Sequence, residues 1–219
     1  MLTAALAVSV VGVVGLLLAV AGRYSTPLTL ALAVPLLVTA VVFTVRALPA
    51  VPTTRGTVAA AVVALLLALS FGAFAGARPS QNVLVDRDPG SYTNTARHLA
   101  SEGTLEVDAR GEAFAGVPGL VFASQAVYDV GTPEPVEPGG EPQASGQIEF
   151  QFNHLTSVVL ASAYDVGGIR IMFRLPALAS AAGVLAVYAV AVRASRRPWA
   201  ALLAPALLAC SPPMLYVSR

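Results

Sequence analysis

Residues 1 to 22, 26 to 45 and 57 to 77 each run twenty residues or more without a single charged side chain. A helix climbs about 1.5 Å per residue, so about twenty apolar residues cross the hydrocarbon core of a bilayer. Leu175 to Val192 is a fourth uncharged run, with Arg174 at its edge, where a long side chain reaches back to water. Pro198 to Val217 is a fifth, interrupted by Pro205, Pro212 and Pro213. Backbone donors and acceptors cannot go unpaired in lipid, so each run is expected to be helical. The first run lacks a basic start and is too long for a signal peptide, so it reads as a retained helix. The fold expected is all-α and transmembrane, with about five spanning helices and an extracytoplasmic loop carrying interfacial helices. Residues 1–77 hold three spans, 78–170 the loop, and 171–219 spans four and five.

Composition agrees. Of 219 residues, 56% are hydrophobic and only 11% charged, against about a quarter charged in soluble domains. All thirteen basic residues are arginine, and all twelve acids fall between Asp86 and Asp165. A net charge of +1 divided in this way offers no basic face to nucleic acid. Arg46 and Arg55 flank the link between runs two and three, and Arg193, Arg196 and Arg197 crowd the link between four and five. Arginine concentrates on the cytoplasmic side of membrane proteins. The N-terminus is therefore expected in the cytoplasm, and the Arg23 turn and the acidic loop outside. A lone cysteine, Cys210, sits in an apolar run and is expected to be a small buried hydrophobe.

The loop is too long to be an idle connection. Tyr92, Ala96, Leu99 and Ala100 recur at helical spacing, and Gly103 follows as a left-handed stop. That helix is expected along the membrane surface, apolar stripe downward. Leu120 to Val130 favours a short strand. Residues 131 to 147 hold four prolines, four glycines and three glutamates, the composition of an insertion without chemistry. Leu155 to Tyr164 is apolar but short, so it reads as a second interfacial helix before span four.

The densest polar cluster is Asp86-Arg87-Asp88-Pro89-Gly90-Ser91-Tyr92, where membrane meets water. Asp-Pro-Gly is turn-forming, and an aspartate or serine here caps the helix that follows. The same residues also supply a carboxylate to deprotonate a hydroxyl and an arginine to hold an anionic phosphate. Asp86 and Asp88 offer two ligands to a divalent cation, a weak signal because such ions take six or more oxygens.

This cluster, with Ala96, Leu99 and Gly103 behind it, resembles the first exported loop of the GT-C membrane glycosyltransferases, the protein O-mannosyltransferase and aminoarabinose transferase group. In that family an acidic residue opens the loop, a tyrosine follows within a few residues, and an Ala-rich surface helix comes next. The resemblance implies that Asp88 is the catalytic aspartate, with Asp86 as the second candidate. Phe152-Asn153-His154-Leu155 is similar to the family's His-Pro-Pro-Leu element but lacks both prolines. Arg174-Leu175-Pro176-Ala177-Leu178 resembles the opening of its fourth span, and Ser218-Arg219 the exit from the fifth. Together the matches cover roughly residues 82 to 219, and the chain looks like an N-terminal portion of such an enzyme. The implied activity is transfer of a sugar from a polyprenyl-phosphate donor to an extracytoplasmic acceptor of the cell envelope, usually with inversion. Arg87, Tyr92, His154, Arg170 and Arg174 are the implied substrate contacts, and the plasma membrane is the implied location.

Plainer roles stand beside these. Arg170 and Arg174 also fit interface anchors, His154 and His98 surface hydrogen-bonders, and Tyr92 and Tyr216 the aromatic belt. The competing function is a non-enzymatic polytopic membrane protein whose exported loop binds a partner. Transport is disfavoured because the spans hold no ionisable residue at depth.

Overall fold

Long apolar runs become long helices. The computed structural model describes residues 2–47, 51–80, 88–108, 127–129, 147–151 and 153–218. Three helices come first, α1 (Leu2–Val20), α2 (Thr26–Ala47) and α3 (Arg55–Gly76), then α4 (Asp88–Glu102). Three short strands follow, β1 (Glu106–Asp108), β2 (Val127–Asp129) and β3 (Gln147–Phe150), then the 42-residue α5 (His154–Ser195). A 3₁₀ turn at Ala200–Leu202 leads into α6 (Leu203–Ala209) and α7 (Pro212–Val217). Of these, α2, α3 and α5 are long and apolar enough to cross a membrane, while Leu6–Val20 and Ala200–Ala209 are shorter apolar helices. Leu17, Val20, Leu36, Val38, Phe43 and Leu69 are all more than half exposed. Apolar faces this extensive are untenable in water and suit contact with lipid.

The fifth apolar run is not one helix of spanning length. Prolines remove ladder donors and clash with the preceding turn, so the chain divides into the 3₁₀ turn, α6 and α7. Cys210 ends α6 and is exposed, contrary to the buried position expected of it. The inward face of α6 is taken by Pro205 and Ala209, which leaves Cys210 turned outward.

The axis of the molecule is α5, against which α1, α3, α4 and α6 all pack. Thr54 caps α3 by accepting the Thr57 amide at 3.1 Å. From there Ala60, Ala64, Ala68, Phe71 and Ala75 form one buried stripe at helical spacing. It meets Val184, Tyr188 and Val192 of α5, and a methyl group on Gly72 would stand 3.1 Å from the Ala181 Cβ. Lipid supplies little hydrophobic drive between helices, so close approach through small residues carries the association. The same device joins α1 to α5. There is no room for a side chain at Gly15, where a Cβ would overlap Cγ1 of the fully buried Val158.

Helix α4 is rich in residues that compete with helix formation, and several turn that competition into support. The hydroxyls of Thr93 and Thr95 donate to the carbonyls of Pro89 and Ser91, each at 2.8 Å, and the Asn94 amide donates to Gly90 at 2.8 Å. Gly103 ends the helix at φ +76°, as expected, and its carbonyl accepts the Tyr24 amide at 2.9 Å. The apolar stripe does not face the membrane, however. Ala96 and Leu99 are fully buried in a cluster with Ala19, Tyr24, Val158, Ala161 and Met172, so α4 lies against α1 and α5. Periodicity identifies a buried face but not its partner, and here protein supplies the cover.

Tyr24 closes this junction. Its hydroxyl lies 2.9 Å from Ser162 Oγ, 3.1 Å from Thr26 Oγ1 and 3.3 Å from the Val158 carbonyl. Burial pushes its pKa up from the ordinary 10.0, the two hydroxyl contacts pull it back, and the Asp165 charge adds to the rise. A raised folded-state value means the contribution is complete below about pH 10 and is lost as pH rises through it. Tyr24→Phe is expected to cost about 1–3 kcal/mol, read as a lower thermal unfolding midpoint in detergent, and to remove that alkaline loss.

Strands β1 and β2 both pair antiparallel with β3, giving the order β1-β3-β2. β2 falls within the strand expected at Leu120 to Val130, whose remaining residues lie outside the described ones, as do residues 131–146. The helix expected at Leu155–Tyr164, ahead of the span, is the first part of α5, which is two helices joined at a kink. Its separation from the span survives as a break, with Gly167 at φ −154°, ψ 24° and Gly168 at φ 64°, ψ −163°. Only glycine adopts the second pair without strain.

Candidate functional site

Asp88 is the first residue of α4. That helix is held by its buried face to α5, the helix that carries His154, Arg170 and Arg174. Asp86 and Arg87 lie outside the described residues, as does Phe152. Gly90 and Ser91, in the first turn of α4, are buried, and Ser91 Oγ has no hydrogen-bond partner among the described residues. Tyr92 follows half-buried. The start of α4 is thus seated in protein and not projected on a free loop.

His154 opens α5 just after Asn153, whose side chain caps the helix by accepting the Leu155 amide at 2.9 Å. Its Nε2 lies 2.7 Å from the Glu149 carboxylate on β3. Glu149 stands opposite Glu106 in the ladder, and like charges in that position repel. The imidazole therefore acts as a strut between sheet and helix, and a hold on substrate would require opening this pair. His98 has a matching task on α4. Its Nε2 donates to the Glu106 carbonyl at 2.8 Å, since a carbonyl only accepts.

Arg170 and Arg174 are one helical turn apart on α5, immediately beyond the Gly167–Gly168 break, and both are exposed. Neither forms an ion pair among the described residues. Two adjacent guanidiniums without a carboxylate are suited to a phosphate, which they can grip bidentately. Asp165 lies on the other side of the break and is exposed. Among the described residues, no three His, Cys, Asp or Glu side chains gather as a metal site would require.

Sequence reasoning passed over Tyr24, Ser162 and Glu149. Tyr24 and Ser162 are 138 positions apart, and nothing local in either marks the bond between them. The double glycine at 167–168 was a readable signal, since adjacent glycines in an apolar run mark a break.

Against protein-family profiles, curated proteins and solved structures, this chain finds no match. Its functional reading rests on its own residues.

Proposed function

We propose that the chain is the acceptor-activating part of a membrane glycosyltransferase that uses a polyprenyl-phosphate-linked sugar. The observation that carries this reading is that α4 begins at Asp88 and is fixed by Ala96 and Leu99 to α5, the helix bearing Arg170 and Arg174. Asp88 and the two arginines then belong to helices joined by a buried interface. In the reaction, the Asp88 carboxylate takes the proton of the acceptor hydroxyl as its oxygen bonds to the anomeric carbon. The bond from that carbon to the carrier phosphate breaks on the opposite face, and the phosphate departs with the electron pair. Arg170 and Arg174 hold that phosphate, in the bound donor and as it departs. One base suffices because a phosphate leaves without a proton donor, and the anomeric centre inverts. The proposed setting is the extracytoplasmic face of the plasma membrane, with the N-terminus in the cytoplasm and about five passes through the bilayer.

The test is sugar transfer in membranes carrying the protein, supplied with a polyprenyl-phosphate sugar. Replacing both Arg170 and Arg174 by Gln is expected to raise the KM for the lipid donor about 10–100-fold, because charge-assisted hydrogen bonds contribute about 1.5–3 kcal/mol. Lysines at the same positions should recover part of the loss. An unchanged KM in the double Gln variant would remove these arginines from the donor site.

A further inference from the structure

We propose that Arg55, Arg193, Arg196 and Arg197, gathered around Trp199 at the end of α5 remote from α4, bind the phosphate of an anionic phospholipid headgroup. Four observations converge there. The buried cluster of Ala60, Ala64, Tyr188, Val192 and Ala201 brings the start of α3, the end of α5 and the 3₁₀ turn into one corner. Within it, a Cβ on Gly56 would lie 3.8 Å from the Trp199 indole nitrogen, so Trp199 sits beside Arg55 at the first turn of α3. Arg196 takes the left-handed conformation, φ 55°, as its amide closes α5 on the Val192 carbonyl. This reversal turns Arg197 and Trp199 back toward α3. Arg193 is half-buried, with one terminal nitrogen donating to the Ala189 carbonyl at 2.8 Å and its Nε buried without a partner among the described residues.

Among the described residues, no carboxylate balances these charges. Every acid in the chain lies between Asp86 and Asp165, and none of the four arginines forms an ion pair among the described residues. Unpaired guanidiniums at a protein surface take anions, and the apolar faces beside them decide which. Val58 and Val62 on α3, Val190 on α5, and Leu203 and Leu207 on α6 are each half or more exposed and begin within a turn or two of the arginines. Those surfaces suit acyl chains, and an indole 55% exposed at their edge suits the headgroup level. The anion present in that layer is the lipid phosphate, and arginines near an anionic leaflet contribute about 1 kcal/mol each to its attraction. The site stands apart from Asp88, Arg170 and Arg174, at the other end of α5, so it does not depend on the glycosyltransferase reading.

Trp199 is the single tryptophan of the chain and reports on its own surroundings. The full chain is reconstituted in nanodiscs containing phosphatidylcholine and phosphatidylglycerol at equal fractions, with one or the other brominated near the headgroup. Brominated phosphatidylglycerol is expected to quench Trp199 several-fold more than brominated phosphatidylcholine. Arg196→Gln should lower the relative association constant about fivefold, the factor equivalent to about 1 kcal/mol. The triple variant R55Q/R196Q/R197Q should abolish the preference, and the triple lysine variant should keep it. Inorganic phosphate added at constant ionic strength should leave the preference intact. Equal quenching by the two lipids, a preference that survives the triple Gln variant, or loss of preference to inorganic phosphate would each overturn the assignment. The last outcome would make the corner a site for a soluble anion.

Discussion

Asp88→Asn is expected to lower sugar transfer about 10²- to 10⁴-fold, the range over which a positioned general base accelerates proton transfer. Asparagine keeps the size and the hydrogen-bonding reach of aspartate but cannot take up a proton. The backbone start of α4 is also retained, because that helix is secured by Ala96, Leu99 and the side-chain bonds of Thr93, Asn94 and Thr95. The loss should therefore fall on turnover, with donor KM nearly unchanged, and the variant should insert and unfold as the parent does. The complementary signature belongs to Arg170 and Arg174, whose removal falls chiefly on KM. A turnover equal to that of the parent would take Asp88 out of the chemistry.

The second large effect is structural. Gly15→Leu is expected to separate α1 from α5 and to destabilise the protein by roughly 3 kcal/mol, the upper part of the overpacking range. Val158 is fully buried in the cluster that also holds Ala96, Leu99, Ala161 and Met172, so it has nowhere to retreat. Val158 is also tied to the junction through its carbonyl, which lies 3.3 Å from the Tyr24 hydroxyl. The damage should thus reach α4 through that shared cluster. The measurement is the thermal midpoint of the detergent-solubilised chain, with Gly22→Ala as a surface comparison. Gly22 has nothing within 4 Å of a new Cβ, so its cost should be limited to its positive φ of 64°. A Gly15→Leu variant as stable as the parent would contradict the packing of α1 on α5.

Much of the helical framework was legible because the bilayer imposes a length and forbids charge. Runs 26–45 and 57–77 became Thr26–Ala47 and Arg55–Gly76, with ends set by Arg46 and the Thr54 cap. Gly103 was readable because a left-handed stop after an amphipathic helix is a local requirement. Other features were not local. The stripe on α4 specified a hidden face, and only the tertiary arrangement could say that α5 and α1 hide it in place of lipid. The segment from Leu155 was set apart from the span because Asp165 and Arg170 interrupt its apolar run. The helix does end there, at the kink of Gly167 and Gly168, and its first part is clamped by α1 and α4. Pro205, Pro212 and Pro213 announced trouble in the fifth run, but how the chain divides depends on which turns α3 and α5 support. At the site, Asp88 and Tyr92 were legible as a cluster. The Glu149–His154 strut was not, because its two partners come from different elements and meet only once the sheet forms.

The proposed placement of Asp88 on the outer side of the membrane is what joins topology to chemistry. The direct test replaces Cys210, the sole cysteine, by serine and introduces a single cysteine at position 88 or, separately, at 197. An impermeant maleimide applied to intact cells is predicted to label position 88 at once, and position 197 only after the membrane is opened. Labelling of 197 from outside, with 88 shielded until permeabilisation, would contradict the orientation and the proposed transfer together.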